Sequence, residues 1–205
     1  IFNIINFHIY IYIYIYMKIY LLRHEQRYKN PKFDTELTEQ GKINAADLNK
    51  LLEKLNINLI ISSPFVRTIQ TIEKFAKGNF LNINIDHALN EALMHQLNSL
   101  FDDSDIRPIT KNMYGYNLIN KNYIPAIKYQ ELKFNEDYDF IKKRSKKLIG
   151  SLMNNNKYID KNIILVTHRT VINGLLNYDI NYNYPMGGLT LFYNNNKLIN
   201  KSINF

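Results

Sequence analysis

Residues 18–26 read KIYLLRHEQ and residues 162–170 read NIILVTHRT. Each holds a short apolar run that closes on a polar residue and a histidine: Lys18 to Leu22 before Arg23-His24, and Asn162 to Val166 before Thr167-His168. Runs this short, and this rich in Ile, Leu and Val, predict buried strands. Working outward, a helix begins at Leu37-Thr38-Glu39-Gln40-Gly41 and carries its apolar spacing through Ala45, Leu48, Leu51, Leu52 and Leu55. Asn58 to Ser62 reads as another buried strand, Pro64 as a turn, and Val66 to Lys77 as a helix. Ile83 to Ile85 is a candidate short strand, and residues 92–135 are irregular. Asp137 to Met153 is an amphipathic helix, and Val171 to Leu176 follows the second histidine as a helix. Leu189 to Tyr193 and Lys197 to Ile203 form a strand pair around Asn194-Asn195-Asn196. Strands alternating with helices predict an α/β fold: a three-layer α/β/α sandwich around a mainly parallel central sheet. In such sheets ligands bind outside the carboxyl ends of the strands, where both histidines fall.

The chain of 205 residues is 46% hydrophobic, enough for a sizeable core. It has no cysteine, which excludes disulfides and thiolate metal sites and fits a cytoplasmic setting. The net charge of +8 comes from 26 Lys and Arg against 18 Asp and Glu. Such a balance can serve nucleic acid or an anionic membrane, but here the basic residues are spread along the chain. The densest run, Lys142, Lys143, Arg144, Lys146 and Lys147, has helical spacing against Tyr138, Ile141 and Leu148 and reads as a solvated helix face. No nucleic-acid or membrane partner is therefore expected. Ile9 to Tyr16 is a run of Ile-Tyr repeats, the pattern that an alternating AT tract would encode in one frame, and Asn is abundant at 30 residues. The expectation is that the native fold starts at Met17, with 1–16 an extension and 17–205 one domain. The extension lacks a basic n-region and a small-residue cleavage site.

A lone histidine after a strand is ordinarily structural. His24 gains weight from Arg23 beside it, from Arg67 after a second strand and from His168 after a third. Two histidines and two arginines at strand ends would make a compact cationic pocket. Guanidinium forks pair with phosphate oxygens, so the pocket suits a phosphoryl dianion. No glycine-rich phosphate loop and no carboxylate cluster for Mg²⁺ accompanies them, so neither metal nor cofactor is expected.

These pieces resemble the histidine phosphatase superfamily, which includes the cofactor-dependent phosphoglycerate mutases. The resemblance rests on LLRHEQ at 21–26, LTEQG at 37–41, SSPFVRTIQT at 62–71, LNE at 89–91, NEDYDFIKKR at 135–144 and VTH at 166–168, in that order. It implies a phosphoglycerate mutase-like fold and a phosphomonoester hydrolase. His24 would be the nucleophile that forms a phosphohistidine. Arg23, Arg67 and His168 would bind the phosphoryl oxygens, and Asn30 stands where some members place a phosphate-contacting Asn. Glu91 would be the general acid, with Asp86 and His95 as weaker alternatives and His87 and His8 as bystanders. Ser62 or Thr68 could assist from the second loop. Residues 92–135 would form a substrate cap, in which Arg107, Lys111, Lys121 and Lys128 could meet an anionic tail and Tyr114, Tyr116 and Tyr123 a ring, or all could be packing residues. The substrate would be a phosphorylated small molecule or a phosphopeptide; oligomeric state stays open. The family's mutases carry a longer segment after the first histidine than KNPKFDTELTEQG, which favours hydrolysis over phosphoglycerate isomerisation or mere phospho-ligand binding.

Many members carry a small residue after each histidine, whereas this chain has Glu25 and Arg169. If neighbouring strand ends bring the histidines together, these two residues become neighbours and could form an ion pair, the alternative being that each points separately to solvent. The start at Met17 is tested by thermal melts of the chain with and without residues 1–16. Coincident transitions are the expected outcome, and a large loss on truncation would show that the extension packs.

Overall fold

The structure is a computed structural model and describes residues 17–94, 103–194 and 197–203. The extension 1–16, His8, His95 and Asn195-Asn196 lie outside the described residues. The strands are β1 (Lys18–Arg23), β2 (Leu59–Ser62), β3 (Ile83–Ile85), β4 (Asn162–Thr167), β5 (Leu189–Asn194) and β6 (Lys197–Ile203). The helices are α1 (Glu39–Lys54), α2 (Val66–Gly78), α3 (Tyr138–Met153) and α4 (Arg169–Leu176). Each element stands within a few residues of its predicted place. Between β3 and α3 the described residues hold only short 3₁₀ turns, as the irregular pattern of 92–135 implied.

One six-stranded sheet runs in the order β3-β2-β4-β1-β5-β6. The pairs β1–β4, β2–β4 and β2–β3 are parallel, and β1–β5 and β5–β6 are antiparallel. Side chains of a strand alternate between faces, and that alternation divides the core. Ile19, Leu21, Ile163 and Leu165 pack toward Ile141, Leu148, Val171 and Ile172 of α3 and α4. Tyr20, Leu22, Ile164 and Val166 pack toward Leu48, Leu52, Ile69 and Ile72 of α1 and α2. Strands buried on both faces are apolar throughout, which is why β1 and β4 were legible as continuous runs. Outer strand β6 is exposed along its length and carries Lys197 and Lys201, residues that discourage pairing with another chain. At the other edge, the Asn120 amide donates to the Ile83 carbonyl at 3.0 Å and covers β3. Among the described residues no helix is long and apolar enough to cross a membrane.

Local chemistry sets the helix starts. Thr38 caps α1, its hydroxyl accepting from the Gly41 amide at 3.0 Å, and Asp137 caps α3, accepting from Phe140 at 2.7 Å. At α2 and α4 the cap positions are Phe65 and His168, and neither side chain caps its helix. The positive ends of these two helix dipoles begin just past the ends of β2 and β4.

Gly41 brings α1 against the loop that follows β1. A Cβ there would lie 2.0 Å from the Gln26 carbonyl oxygen, a backbone atom that also accepts from the Thr38 amide at 2.9 Å. Gly41→Ala should destabilise the protein by about 1–3 kcal/mol, because neither backbone can yield without moving the histidine loop. Urea denaturation checks this, and an unchanged midpoint would show that α1 slides freely.

Candidate active site

Strand register builds the site. In the β1–β4 pair Arg23 lies opposite Thr167, so the next residues, His24 and His168, leave the sheet side by side. Their ring centroids are 5.3 Å apart. The Ser63 amide donates to the Val166 carbonyl at 3.0 Å and places the end of β2 beside them. From α2 comes Arg67, fully buried, with its guanidinium carbon 4.6 Å above the Phe65 ring. Glu91 comes from the loop after the 3₁₀ turn His87–Leu89. It does not sit in a helix's first turn, the placement that would have made it a dipole-favoured carboxylate.

His24 is buried, and its Nδ1–H donates to the Glu25 carbonyl at 2.7 Å. With Nδ1 carrying the proton, Nε2 keeps a lone pair. Burial pushes the His24 pKa well below 6.5, and the charges of Arg67, Arg23 and Arg27 push it further, against the bond to Glu25. His168 is lowered in the same direction by burial and by Arg67. Its Nε2 lies 2.9 Å from the Ser63 hydroxyl, and its Nδ1 lies 3.4 Å from Glu91 Oε2. Glu91 Oε2 also accepts from Arg67 Nη2 at 3.3 Å, and Oε1 accepts from the Ala92 amide at 3.0 Å. Arg23 donates to the Tyr184 carbonyl, and Arg67 Nη1 donates to the Lys32 carbonyl at 2.9 Å. Burial lowers both guanidiniums to about 10, still charged at neutral pH. Among the described residues the Nε of each is buried without a hydrogen-bond partner, and so is His168 Nδ1. Buried polar groups are ordinarily satisfied, so this set is arranged for an anion that brings its own acceptors.

Ligand atoms of His24, Glu91 and His168 lie within 4.8 Å of one another, a spacing that could also hold a cation. The potential opposes it, because Arg67 already pairs with Glu91 and Arg23 is buried alongside. The same donors suit a phosphoryl group.

His24, Arg23, Arg67, His168 and Glu91 thus converge as expected from the sequence. Asn30 is exposed, with left-handed backbone (φ 58°), and no hydrogen bond joins its side chain to the site. The hydroxyl at the site is that of Ser63, while Ser62 donates to the Ser63 carbonyl and Thr68 to the Ser63 and Phe65 carbonyls. Strand phase explains this: Ser63 is the first residue past β2. Asp86 is an anchor for the 103–135 segment and takes hydrogen bonds from Tyr123 and from the Ala88, Ala126 and Ile127 amides. His87 is buried against Tyr129, and burial lowers its pKa to about 4. Within the segment, Arg107 pairs with Asp34 at 2.7 Å, Tyr114 donates to Glu73, and Lys121 lies over the Tyr116 ring, so these residues pack.

The Glu25–Arg169 ion pair does not form. Glu25 turns away and is buried, with Oε2 accepting from Asn44 Nδ2 and the Gln26 amide, each at 3.3 Å. Gly187 makes the room: it has φ 66°, and a Cβ there would lie 2.0 Å from the Glu25 carboxylate.

Arg144 is the second correction. It is buried rather than part of a solvated face. Its Nη2 donates to Glu136 at 2.9 Å, to the Asn90 carbonyl at 2.8 Å and to the Glu91 carbonyl at 3.3 Å, while Nη1 donates to the Ala88 carbonyl. Arg144 therefore clamps the loop that carries Glu91. The signal was present in the sequence: Arg144 is three residues after Ile141 and four before Leu148, on the buried stripe of α3.

The profile of the histidine phosphatase superfamily (branch 1) matches residues 19–188. No curated protein sequence matches the chain. Among solved structures, the tungstate-bound ecdysone phosphate phosphatase of Bombix mori superposes with a TM-score of 0.61 at 15% identity, covering 85% of this chain and 88% of that one. A mycobacterial glucosyl-3-phosphoglycerate phosphatase with bound VO3 gives 0.62 at 19%, covering 91% and 100%. At these identities the structures show a shared fold.

Two outcomes are expected. Arg144→Met should cost roughly 3–5 kcal/mol, since it strands a buried carboxylate, and Glu136→Gln/Arg144→Met should recover part of that loss. Strict additivity in urea denaturation would show that the two do not act as a pair. Protonating Nε2 of His24 takes up its ring lone pair, and the His24 pKa lies well below 6.5. The acidic limb of kcat/KM, corrected for substrate ionisation, should therefore fall below pH 6.5; a limb at or above that value would mean His24 titrates as if exposed. With its family profile matched over residues 19–188 and its two histidines, two arginines and Glu91 gathered at the carboxyl ends of the parallel strands, the chain belongs to the histidine phosphatase superfamily, branch 1, and is an enzyme of the histidine phosphatase type.

Proposed function

We propose that the chain hydrolyses phosphomonoesters through a phosphohistidine on His24, without a metal ion. The observation that carries this reading is the Nδ1–H bond from His24 to the Glu25 carbonyl, which leaves Nε2 unprotonated beside Arg23, Arg67 and His168. In the first step Nε2 attacks phosphorus and the ester oxygen departs, taking a proton from Glu91. The guanidiniums of Arg23 and Arg67 and the His168 ring offset the charge that spreads over the phosphoryl oxygens. In the second step the Glu91 carboxylate takes a proton from water, the water oxygen attacks phosphorus, and the bond to Nε2 breaks to release inorganic phosphate. Splitting one displacement into two lowers the barrier of each.

Glu91 fits both halves because it is the carboxylate beside both His168 and Arg67. The structural relatives point the same way: one acts on ecdysone phosphate and one on glucosyl-3-phosphoglycerate, and both were solved with oxyanions bound. A phosphorylated small molecule or a phosphopeptide is the substrate class proposed here, in a cytoplasmic setting. The segment 103–135 packs on the loop holding Phe33 and Asp34, close in the chain to Lys32 and its bond to Arg67, a position from which it can shape access.

Trapping with substrate should yield an acid-labile, base-stable phosphate on the wild type and none on His24→Ala; full turnover by that variant would end the mechanism. Glu91→Gln should slow alkyl phosphates by roughly 10²-fold or more, and an activated aryl phosphate far less, because protonation matters most for a basic leaving oxygen. Equal losses on both would make Glu91 a binding residue.

A further inference from the structure

Two arginines follow the site histidines closely in the chain and have no role in the transfer. Arg27 follows His24 by three residues and is held by a backbone ladder: it bridges to Leu37, and the next amide, of Tyr28, donates to the Glu36 carbonyl at 3.1 Å. Arg169 follows His168 directly and opens α4. Both are half-buried. The register that places His24 beside His168 brings these arginines to the same end of the sheet.

Their charges are not matched by the protein. Among the described residues Arg23, Arg27 and Arg169 make no ion pair within 4.0 Å, and Arg67 pairs only with Glu91. Asp105, whose charge also acts on Arg67, is engaged by Lys32 at 3.6 Å and by the Phe33 amide at 2.7 Å. Arg27 keeps one bond of its own, from Nη1 to the Tyr28 carbonyl, and its Nε is buried without a partner, as are those of Arg23 and Arg67. The groups sense one another: Arg27 lowers the pKa of His24, Arg23 and Arg67, Arg169 lowers that of Arg23, and Glu91 supports the charge on Arg27. With Glu91 protonated for the transfer, a phosphoryl dianion offsets two of the four arginine charges and leaves two. A partly desolvated charge without a counterion is unfavourable, and guanidinium forks are suited to carboxylate or phosphate.

We propose that Arg27 and Arg169 form a second anion subsite beside the phosphoryl pocket, so that the substrate carries a further acidic group, a carboxylate or a second phosphate, next to the phosphoryl that is transferred. The proposal rests on the phosphatase reading and specifies its substrate class. Glu25, which would repel such a group, is turned away toward Asn44 and Gly187.

Unreactive ligands separate binding from turnover. Calorimetry compares methylphosphonate with phosphonoacetate and 3-phosphonopropionate, which share its phosphoryl head and add a carboxylate at two reaches. Wild type should bind the better carboxylated ligand at least ~10-fold more tightly, the size of one charge-assisted contact. In Arg27→Gln/Arg169→Gln the ratio should fall to about one, and Arg27→Lys, which keeps the charge, should retain part of it. Thermal melts establish that each variant is folded. Equal binding of all three ligands by wild type overturns the subsite, and so does a preference that survives the double substitution. Phenyl phosphate turnover by wild type then tells the two readings apart: if it persists, only the second subsite is lost, and if it is absent while the carboxylate preference stands, the subsite belongs to a binding protein instead.

Discussion

The parallel pairing of β1 with β4 is the constraint on which the rest of the site depends. Arg23 opposite Thr167 fixes where both strands stop, and His24 and His168 leave the sheet in step. A slip by one residue would turn every side chain of β1 to the opposite face. Ile19 and Leu21 would exchange places with Tyr20 and Leu22, and both cores would lose their fit. Because each face is buried, the register is strongly specified, and the chemistry inherits that precision from packing.

Around this pair the protein confines charge and satisfies part of it. Arg144 donates to Glu136 and to the Ala88, Asn90 and Glu91 carbonyls, which ties down the loop bearing Glu91 although its regular structure is limited to a 3₁₀ turn. Arg23 and Arg67 are held by the Tyr184 and Lys32 carbonyls, yet each keeps a buried donor unpaired. Guanidinium forks pair well with carboxylate or phosphate oxygens, so these donors are chemically suited to an anion. The low pKa of both site histidines has the same origin: burial next to guanidiniums keeps the rings neutral and one nitrogen nucleophilic.

Glu25 illustrates how an unusual residue is accommodated. A long acidic side chain after His24 would repel a phosphoryl dianion if it pointed inward. It is instead folded between Asn44 and Gly187, where burial raises its pKa and only a glycine leaves space. The expected partner, Arg169, is left free for other use. Spacing along the chain indicated that the two residues would be neighbours, but side-chain direction depends on what each meets, and Glu25 meets a vacant glycine Cα before it meets a guanidinium.

The sequence by itself determined the elements and the two histidine-bearing strand ends, because strands buried on both faces must be apolar over their whole length and so stand out from polar turns. It also pointed to His24, Arg23, Arg67 and His168 through their places after three strands, and to Glu91 only through the family resemblance. Arg144 was recoverable too, from its place on the buried stripe of α3, although its charge suggested a solvated face. Only the tertiary structure decided which hydroxyl, Ser63 rather than Ser62 or Thr68, reaches His168, that Asn30 makes no bond to the site, that Glu25 and Arg169 part, and that Arg27 joins the cationic cluster. Those outcomes turn on distances between segments remote in the chain and on the room left by glycines, and neither quantity is written in local sequence.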